Sequence, residues 1–275
     1  MEHESFFTQL LNRWFGHAVA AMLGMIGVHV DAQHAVPDYF ATALLVVLAA
    51  MVFVLWLKPR LSAERPGGAQ QVCEFLLTNP VKFGIRDLLD DNVGHNGRRF
   101  LAMTGTVAIF VLLCNLVSVI PAFSSPTGHP SVPLACALVT FFYFNAHGVN
   151  HHGPLGYLKM FAGLKEMSFG SLLLAILLFP VEIISTCARV LSLTIRLWAN
   201  MFSSELLYGI FLAMLLIPVQ SLMAKNAAFG LAVGIFPAII PLAFIALHIF
   251  VAIIQAFVFT VLPAVYLGMA VAEEH

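Results

Sequence analysis

One stretch of the sequence sets charged and amide side chains into an otherwise apolar run, residues 181–205, VEIISTCARVLSLTIRLWANMFSSE. These side chains are Glu182, Arg189, Arg196, Asn200 and Glu205. The first three follow one another at intervals of seven residues, or two helical turns, so a helix presents them on one face. Asn200 follows Arg196 by one turn on that face. Glu205 comes nine residues after Arg196, which places it on the opposite face, about 13 Å along the axis.

Charged side chains in an apolar helix allow two interpretations. They form ion pairs that hold helices together, or they handle an ion, because a charge inside a membrane-spanning segment is costly and is a functional candidate by default. For Glu182 and Arg189 both interpretations stay open. Further along the chain, His248 and Gln255 are also seven residues apart and share a helix face.

The composition places these side chains in a membrane. Of 275 residues, 60% are hydrophobic and only 10% are charged, and the mean hydropathy is +0.93. Soluble domains carry about 25% charged residues. The net charge of -1 provides no general basic surface, so we expect no nucleic-acid partner. The four cysteines have neither metal-ligand nor disulfide spacing, and we expect no metal and no cofactor.

The apolar segments predict an all-α polytopic fold. The first span is Phe40–Leu57, which ends in a tryptophan and a basic stop; the second is 100–123, and a short third is 134–146. Two stretches, 171–218 and 227–269, would each reach roughly 65–70 Å as helices, about twice the bilayer core. Each of them either splits into two spans or forms one long, strongly tilted helix.

Charge predicts the orientation of the loops. Residues 58–99 hold seven of the thirteen Lys and Arg, so we expect this segment in the cytoplasm. Its short apolar faces on either side of Pro80 indicate two amphipathic surface helices, the alternative being a small soluble loop. The 124–131 loop has no Lys or Arg and is expected outside with Lys225, whereas Glu273–His275 are expected inside.

Two further segments have open interpretations. Residues 18–30 are similar to the core of a signal peptide, but the preceding residues include Glu2 and Glu4 and only one strong base, Arg13. We therefore expect residues 1–39 to form an outer-side, interfacial segment that includes a helix. His147, His151 and His152 suggest a metal site, but no acidic or thiol ligands accompany them, so we interpret them as solvated loop histidines.

Residues 191–205, LSLTIRLWANMFSSE, resemble the signature of the subunit a family of F-type ATP synthases. A second match is formed by His248, Gln255 and the tail VLPAVYLGMAVAEEH, and weaker ones by PDYF (37–40) and NLVSVIP (115–121). The resemblance covers most of the chain from about residue 37 onward. It implies about five membrane-embedded helices, of which 171–271 form a tilted hairpin facing a ring of c subunits within the membrane domain 40–275.

The resemblance also implies a function. In this family, subunit a is a stator that gives protons two aqueous half-channels to and from the carboxylates of the c-ring. Arg196 matches the family's indispensable arginine, and Gln255 is expected to orient it. Glu205, His248 and Asn200 are expected in the outer half-channel.

At the inner exit the resemblance suggests Glu182 and Ser192. The chain would carry out no ATP chemistry itself but would be the ion-translocating component of a proton-transporting two-sector ATPase. It would lie in a bacterial inner membrane with its N-terminus outside and its C-terminus inside. The implied partners are the c-ring, the b subunits of the peripheral stalk, lipid and protons.

The chain departs from the family pattern at two positions. Ser204 replaces a glycine that many bacterial members carry before the channel glutamate, which suggests a hydroxyl contact in place of close helix packing. Ser118 stands where some members carry an acid, which argues against a role for an acid there. The rival functions are a secondary transporter, which should show paired repeats with broken helices, and a structural anchor, which would not need Arg196 and Glu205.

Overall fold

The structure is a computed structural model that describes residues 5–25, 27–79, 84–94, 97–120, 123–161, 169–225 and 227–271. This described part is helical and contains no strand. Its helices are α1 (Phe6–Met25), α2 (Asp38–Leu57), α3 (Gly68–Leu77), α4 (Ile85–Val93), α5 (Gly97–Val117), α6 (Ser131–Phe161), α7 (Phe169–Lys225) and α8 (Ala227–Val271).

Five segments of the described chain are long and apolar enough to cross a membrane: Asp38–Arg60, Gly97–Val117, Ser131–Tyr157, Ala175–Ala213 and Leu242–Tyr266. The predicted all-α polytopic fold is confirmed. The chain divides into two compact units. The first comprises Met1–Val54, Phe110–His129 and Leu197–Gln255, and the second comprises Leu55–Ile109, Pro130–Arg196 and Ala256–His275.

The two longest apolar stretches form unbroken helices. Helix α7 has 57 residues and α8 has 45, so at 1.5 Å per residue they measure about 85 Å and about 68 Å. The bilayer core is only about 30 Å thick. Of the two alternatives that hydropathy left open, the structure therefore supports one long helix in each stretch. Their tilt in the membrane stays a prediction.

The prediction of a short third span was wrong. Helix α6 runs from Ser131 to Phe161, with a kink at Gly153, whose φ is 73°. Proline disfavours the helical conformation of the residue before it, and glycine accepts a positive φ without steric cost, so the Gly153–Pro154 pair explains the kink. Hydropathy ended the span early because histidines and an asparagine interrupt the apolar run.

The three histidines of this region consequently lie in a helix and not in a loop. The ring of His147 meets the edges of Phe100 and Tyr143 at centroid distances of 5.0 and 4.6 Å, and His151 and His152 contact each other. Within the described residues no cluster of three or more His, Cys, Asp or Glu could hold a metal ion. The predicted loop is therefore corrected to a helix, in which His151 is exposed and His147 and His152 are partly buried.

Helix α5 also differs from its prediction, because it ends at Val117 and not at Phe123. Ser118 lies in the turn directly after it and places its Oγ 2.9 Å from the carbonyl oxygen of Asn115. A serine at the end of a helix can satisfy a carbonyl that has lost its helical partner. Because α5 ends at Val117, the hydroxyl of Ser118 lies in a turn. In a helix that continued to Phe123, the same hydroxyl would lie on the side of the helix.

The two amphipathic helices predicted in 58–99 are confirmed as α3 and α4, which contact each other. Ile85 and Leu89 of α4 are buried in a cluster of apolar side chains with Phe100, Phe144 and Ala264. Burying such a side chain contributes about 1.5–3 kcal/mol. Gly268 of α8 lies against α4, since a Cβ there would lie 2.3 Å from the carbonyl oxygen of Asn92.

The N-terminal segment forms helix α1 over residues 6–25, earlier than the apolar run 18–30 indicated. Asp38, the first residue of α2, accepts hydrogen bonds from the backbone N–H of Ser5 at 3.1 Å and from the hydroxyl of Thr8. The side chain of Asn12 bonds both backbone groups of Val36. These bonds tie α1 to the start of α2.

Candidate functional site

Three separate segments of the first unit meet at the imidazole of His248 in α8. The side chain is 5% exposed. Its Nε2 lies 2.8 Å from Ser118 Oγ, after α5, and 3.2 Å from the carbonyl oxygen of Asn115. Its Nδ1 lies 2.8 Å from Ser204 Oγ in α7. Both ring nitrogens therefore have hydroxyl partners, at the two positions where the sequence departs from the family pattern.

The partners of His248 define where its protons lie. A carbonyl oxygen only accepts, so the contact with Asn115 requires a proton on Nε2. In the neutral ring, Nδ1 is then the nitrogen that accepts a hydrogen bond. The Ser204 hydroxyl donates to a neutral ring and accepts from a charged one, and in the second case it turns its proton to the Met201 carbonyl, 3.0 Å away. Rotation of one hydroxyl group thus accommodates both states.

Glu205 follows Ser204 on α7 and faces the connection after α5. Its Oε1 accepts a hydrogen bond of 3.3 Å from the backbone N–H of Ser125. A Cβ at Gly128 would lie 3.0 Å from its Oε2, so the glycine leaves room for the carboxylate. Thr127 fixes this connection by donating to the buried Asn115 side chain at 2.6 Å.

Glu205 and His248 line the same cavity, together with Ser118, Val119, Tyr208 and Ile245. The cavity measures about 10 Å³, close to the roughly 10–15 Å³ that one water needs. In the described part of the chain the two side chains are not hydrogen bonded to each other. The structure therefore brings the two residues expected in the outer half-channel to one cavity of about the size of a water molecule.

Several polar groups of this cluster were not among the predicted site residues. Asp38 accepts a hydrogen bond of 2.5 Å from the Ser124 hydroxyl, and the next residue, Ser125, binds Glu205. Asp38 lies in the segment PDYF and Asn115 in the segment NLVSVIP, and both segments carry the family resemblance. That resemblance was the one feature of the sequence that could have indicated these two residues. Their convergence on Glu205 and His248 depends on contacts between residues 80 or more apart in the chain, which spacing does not show.

A second polar site lies in the second unit. Arg189 Nη2 is 3.3 Å from Glu182 Oε1, and the guanidinium lies 4.9 Å above the ring of Tyr266. The predicted shared face of Glu182 and Arg189 is confirmed, and their contact is an ion pair along one helix. Arg189 also lines a small cavity with Thr140, Phe144, Leu193, Pro263 and Tyr266. Ser192, three residues further along α7, is exposed.

Arg196 has a different environment from Arg189. Its side chain is exposed, and among the described residues it has neither an ion pair nor a hydrogen bond. Leu193 and Leu197 beside it on α7 are buried, whereas Ile195 and Asn200 are exposed. The helix therefore turns a permanently charged group outward, on the same face as the exposed Asn200. Gln255 in α8 is buried, and its expected contact with Arg196 stays a prediction.

These features define a class of protein, a polytopic α-helical membrane protein with polar groups set into two long helices. The family described as ATP synthase A chain matches residues 40–268, a range that contains every site residue predicted from the sequence. Similar proteins are the ATP synthase subunits a of Koribacter versatilis, 35% identical over the whole of both chains, and of Solibacter usitatus, 36% identical over 97% of this chain and the whole relative. ATP synthase subunit a 1 of Syntrophotalea carbinolica is 36% identical over 85% of both chains. The chain belongs to the ATP synthase A chain family.

Proposed function

We propose that this chain is the proton-translocating stator subunit of an F-type ATP synthase and supplies two half-channels that meet the rotor ring at Arg196. The observation that carries the proposal is the exposed guanidinium of Arg196 within the apolar segment Ala175–Ala213, where it has no ion pair or hydrogen bond among the described residues. An isolated charge in a membrane-spanning segment is unfavourable unless a partner of opposite charge covers it. The mid-membrane carboxylates of a c-ring would be that partner.

Arg196 attracts each arriving carboxylate and displaces its proton. At about 4 Å and an effective dielectric constant near 20, the attraction is about 4 kcal/mol. That is comparable to the roughly 2.3 kcal/mol that a unit charge gains in crossing 100 mV, so the ring is held but not locked. Because arginine keeps its charge, it also blocks a direct proton path between the two half-channels. Gln255 would orient the guanidinium through a hydrogen bond.

The outer half-channel delivers protons through Glu205 and His248. A proton reaches Nδ1 of His248 by way of Ser204 and the water-sized cavity shared with Glu205. Asn200, exposed on the same side of α7 as Arg196, would line the last step toward the ring. On the inner side, Glu182 and the exposed Ser192 would form the exit, with Arg189 holding the Glu182 carboxylate in place.

Co-purification tests the function against the rival of a secondary transporter. An affinity-tagged chain, extracted in mild detergent, is expected to bring with it a ring of c subunits and a peripheral stalk. A transporter would purify without either. Mass spectrometry of the purified material measures the outcome, and an isolated chain in several detergents would contradict the proposal.

The orientation is a second expected result. We propose that the 58–99 segment and the C-terminus face the cytoplasm, and that the 124–131 loop and Lys225 face outward. Single cysteines introduced at Arg65 and at His129 would be labelled by an impermeant maleimide from opposite sides of sealed vesicles. Labelling of both from the same side would contradict the arrangement.

The serine beside His248 gives a third prediction. Ser204→Ala removes the hydroxyl group that is hydrogen bonded to Nδ1 of His248. The loss of one hydrogen bond corresponds to a rate lower by about threefold to tenfold. ATP-driven proton pumping should fall by that factor, and Ser204→Thr, which keeps the hydroxyl, should recover most of it.

Ser203→Ala is the matched control, because Ser203 is the exposed neighbour of Ser204 and its side chain makes no hydrogen bond among the described residues. Its pumping should equal that of the wild type. Equal losses in Ser204→Ala and Ser204→Thr would show that packing, and not the hydroxyl group, is what the site requires.

A further inference from the structure

A polar pocket lies between α1 and the connection that leads to α2. Its volume is about 430 Å³, and its lining residues are Gln9, Asn12, Arg13, His17, Ala32, Gln33 and His34. None of these takes part in the proton path proposed above. All belong to the N-terminal segment, ahead of the family match at residues 40–268.

The pocket has the chemistry of an anion site. Arg13 and His17 are four residues apart and share a face of α1, and His34 faces them from the connection. The guanidinium of arginine is always charged and presents a planar fork that suits phosphate oxygens, and an imidazole N–H can donate to the same oxygens. The described lining residues include no carboxylate.

Two carboxylates of the same segment have hydrogen-bond partners of their own. Asp31 accepts a hydrogen bond of 3.3 Å from the backbone N–H of Gln33, within the connection itself. Asp38 is bonded to Ser5, Thr8 and Ser124. Arg13 therefore gives the described lining a positive charge that no lining carboxylate offsets.

Contacts within the N-terminal segment fix the walls of the pocket. The buried side chain of Asn12 donates to Val36 O at 3.2 Å and accepts from Val36 N at 2.8 Å. One turn further along, a Cβ at Gly16 would lie 2.0 Å from the carbonyl oxygen of Ala32, so only glycine allows this approach. A preformed pocket loses less conformational entropy when a ligand binds.

The apolar surface of α1 indicates the source of the anion. Phe6, Leu10 and Trp14 follow one another at four-residue intervals on the face next to Gln9, Arg13 and His17, and Phe6 is 82% and Trp14 73% exposed. Aromatic side chains beside basic ones are typical of helices that lie in the membrane interface. A free anion would need the basic groups but not this apolar strip.

We propose that the pocket binds the phosphate headgroup of an anionic phospholipid, with Arg13, His17 and His34 around the phosphate and the acyl chains along Phe6, Leu10 and Trp14. The proposal is independent of the proton path. It gives α1 a function, which is to fix the N-terminal segment to the membrane surface beside the polar cluster of Asp38.

Hydrogen–deuterium exchange of the purified complex in lipid nanodiscs tests the proposal. Residues 6–36 of the wild type should exchange about tenfold more slowly in nanodiscs containing dioleoyl phosphatidylglycerol than in dioleoyl phosphatidylcholine alone. Inorganic phosphate added to the phosphatidylcholine nanodiscs should give no such protection. The variant Arg13→Gln/His17→Gln should lose the difference between lipids, whereas His29→Gln, an exposed histidine of the same segment outside the pocket, should keep it.

If inorganic phosphate alone slowed the exchange, the ligand would be a soluble anion and not a lipid, and the proposal would be overturned. Equal exchange in both lipids would overturn it as well. Lipid-dependent protection that survives in Arg13→Gln/His17→Gln would show a general attraction of α1 to anionic membranes without a pocket, and would also refute it. None of these outcomes affects ATP-driven proton pumping, so they are separate from the outcome for the proposed function.

Discussion

We expect Arg196→Ala to abolish proton-driven ATP synthesis while the complex remains assembled. The exposed guanidinium is the charge that the rotor carboxylates would meet, and alanine leaves nothing to attract them or to displace their protons. Because Arg196 has no partner among the described residues, its loss removes no internal ion pair of this chain. ATP synthesis in energised membrane vesicles measures the effect, and the c-ring content of the purified complex verifies assembly.

Lysine at the same position should fail as well, because it can lose its proton and lacks the planar fork. Arg189→Lys is the matched control on the same helix. Arg189 is paired with Glu182 at 3.3 Å, and a point charge is enough to keep that pair. Its synthesis should stay close to that of the wild type. Normal synthesis by either Arg196 variant would rule out the proposed role.

Exchanging Glu205 and His248 should preserve part of the activity that each single change removes. The two side chains line one water-sized cavity, so the exchange keeps one acid and one base at the same place. A carboxylate at 248 could accept from the hydroxyls of Ser118 and Ser204, and an imidazole at 205 could accept from Ser125 N–H. Recovery should be partial, because the Asn115 carbonyl would then face a carboxylate instead of an N–H group.

Proton pumping in vesicles of Glu205→His, His248→Glu and the double variant measures this exchange. General acid–base groups typically contribute about 10²–10⁴-fold, so each single variant should lose at least about a hundredfold. A double variant no better than the worse single one would count against a coupled pair.

The same vesicles test which ion is transported. Sodium would need several converging oxygen ligands, so activity that depends on sodium at neutral pH would refute the proton assignment.

The sequence predicted the elements that depend on local pattern. The 58–99 segment and the polar face of α7 follow from periodicity, and the structure confirms both amphipathic helices and the alignment of Glu182 with Arg189. The length of α6 was not predicted, because Gly153 and the histidines before it are residues that are typical of a loop. Tertiary contacts such as that of His147 with Phe100 stabilise the helix instead.

The candidate site was predictable only in part, for a related reason. Glu205 and His248 stand out as ionisable groups in apolar runs, which is a property of the sequence alone. Ser118, Ser204 and Asn115 are small polar residues that lipid-facing or packed helices also contain. They are recognised only by their contacts with His248, from which they are 44 to 133 residues apart in the sequence. Residue spacing does not predict contacts over such separations.

Passive proton flux through the membrane sector is the direct test of a proton path along Glu205 and His248. Vesicles stripped of the catalytic sector and given a potassium diffusion potential should take up protons rapidly when they carry the wild-type chain or Ser203→Ala. With Glu205→Ala/His248→Ala, uptake should fall by at least about a hundredfold, because both groups of the outer path are gone. Uptake by that variant at the wild-type rate, with the assembled c-ring present, would contradict a proton path through this chain.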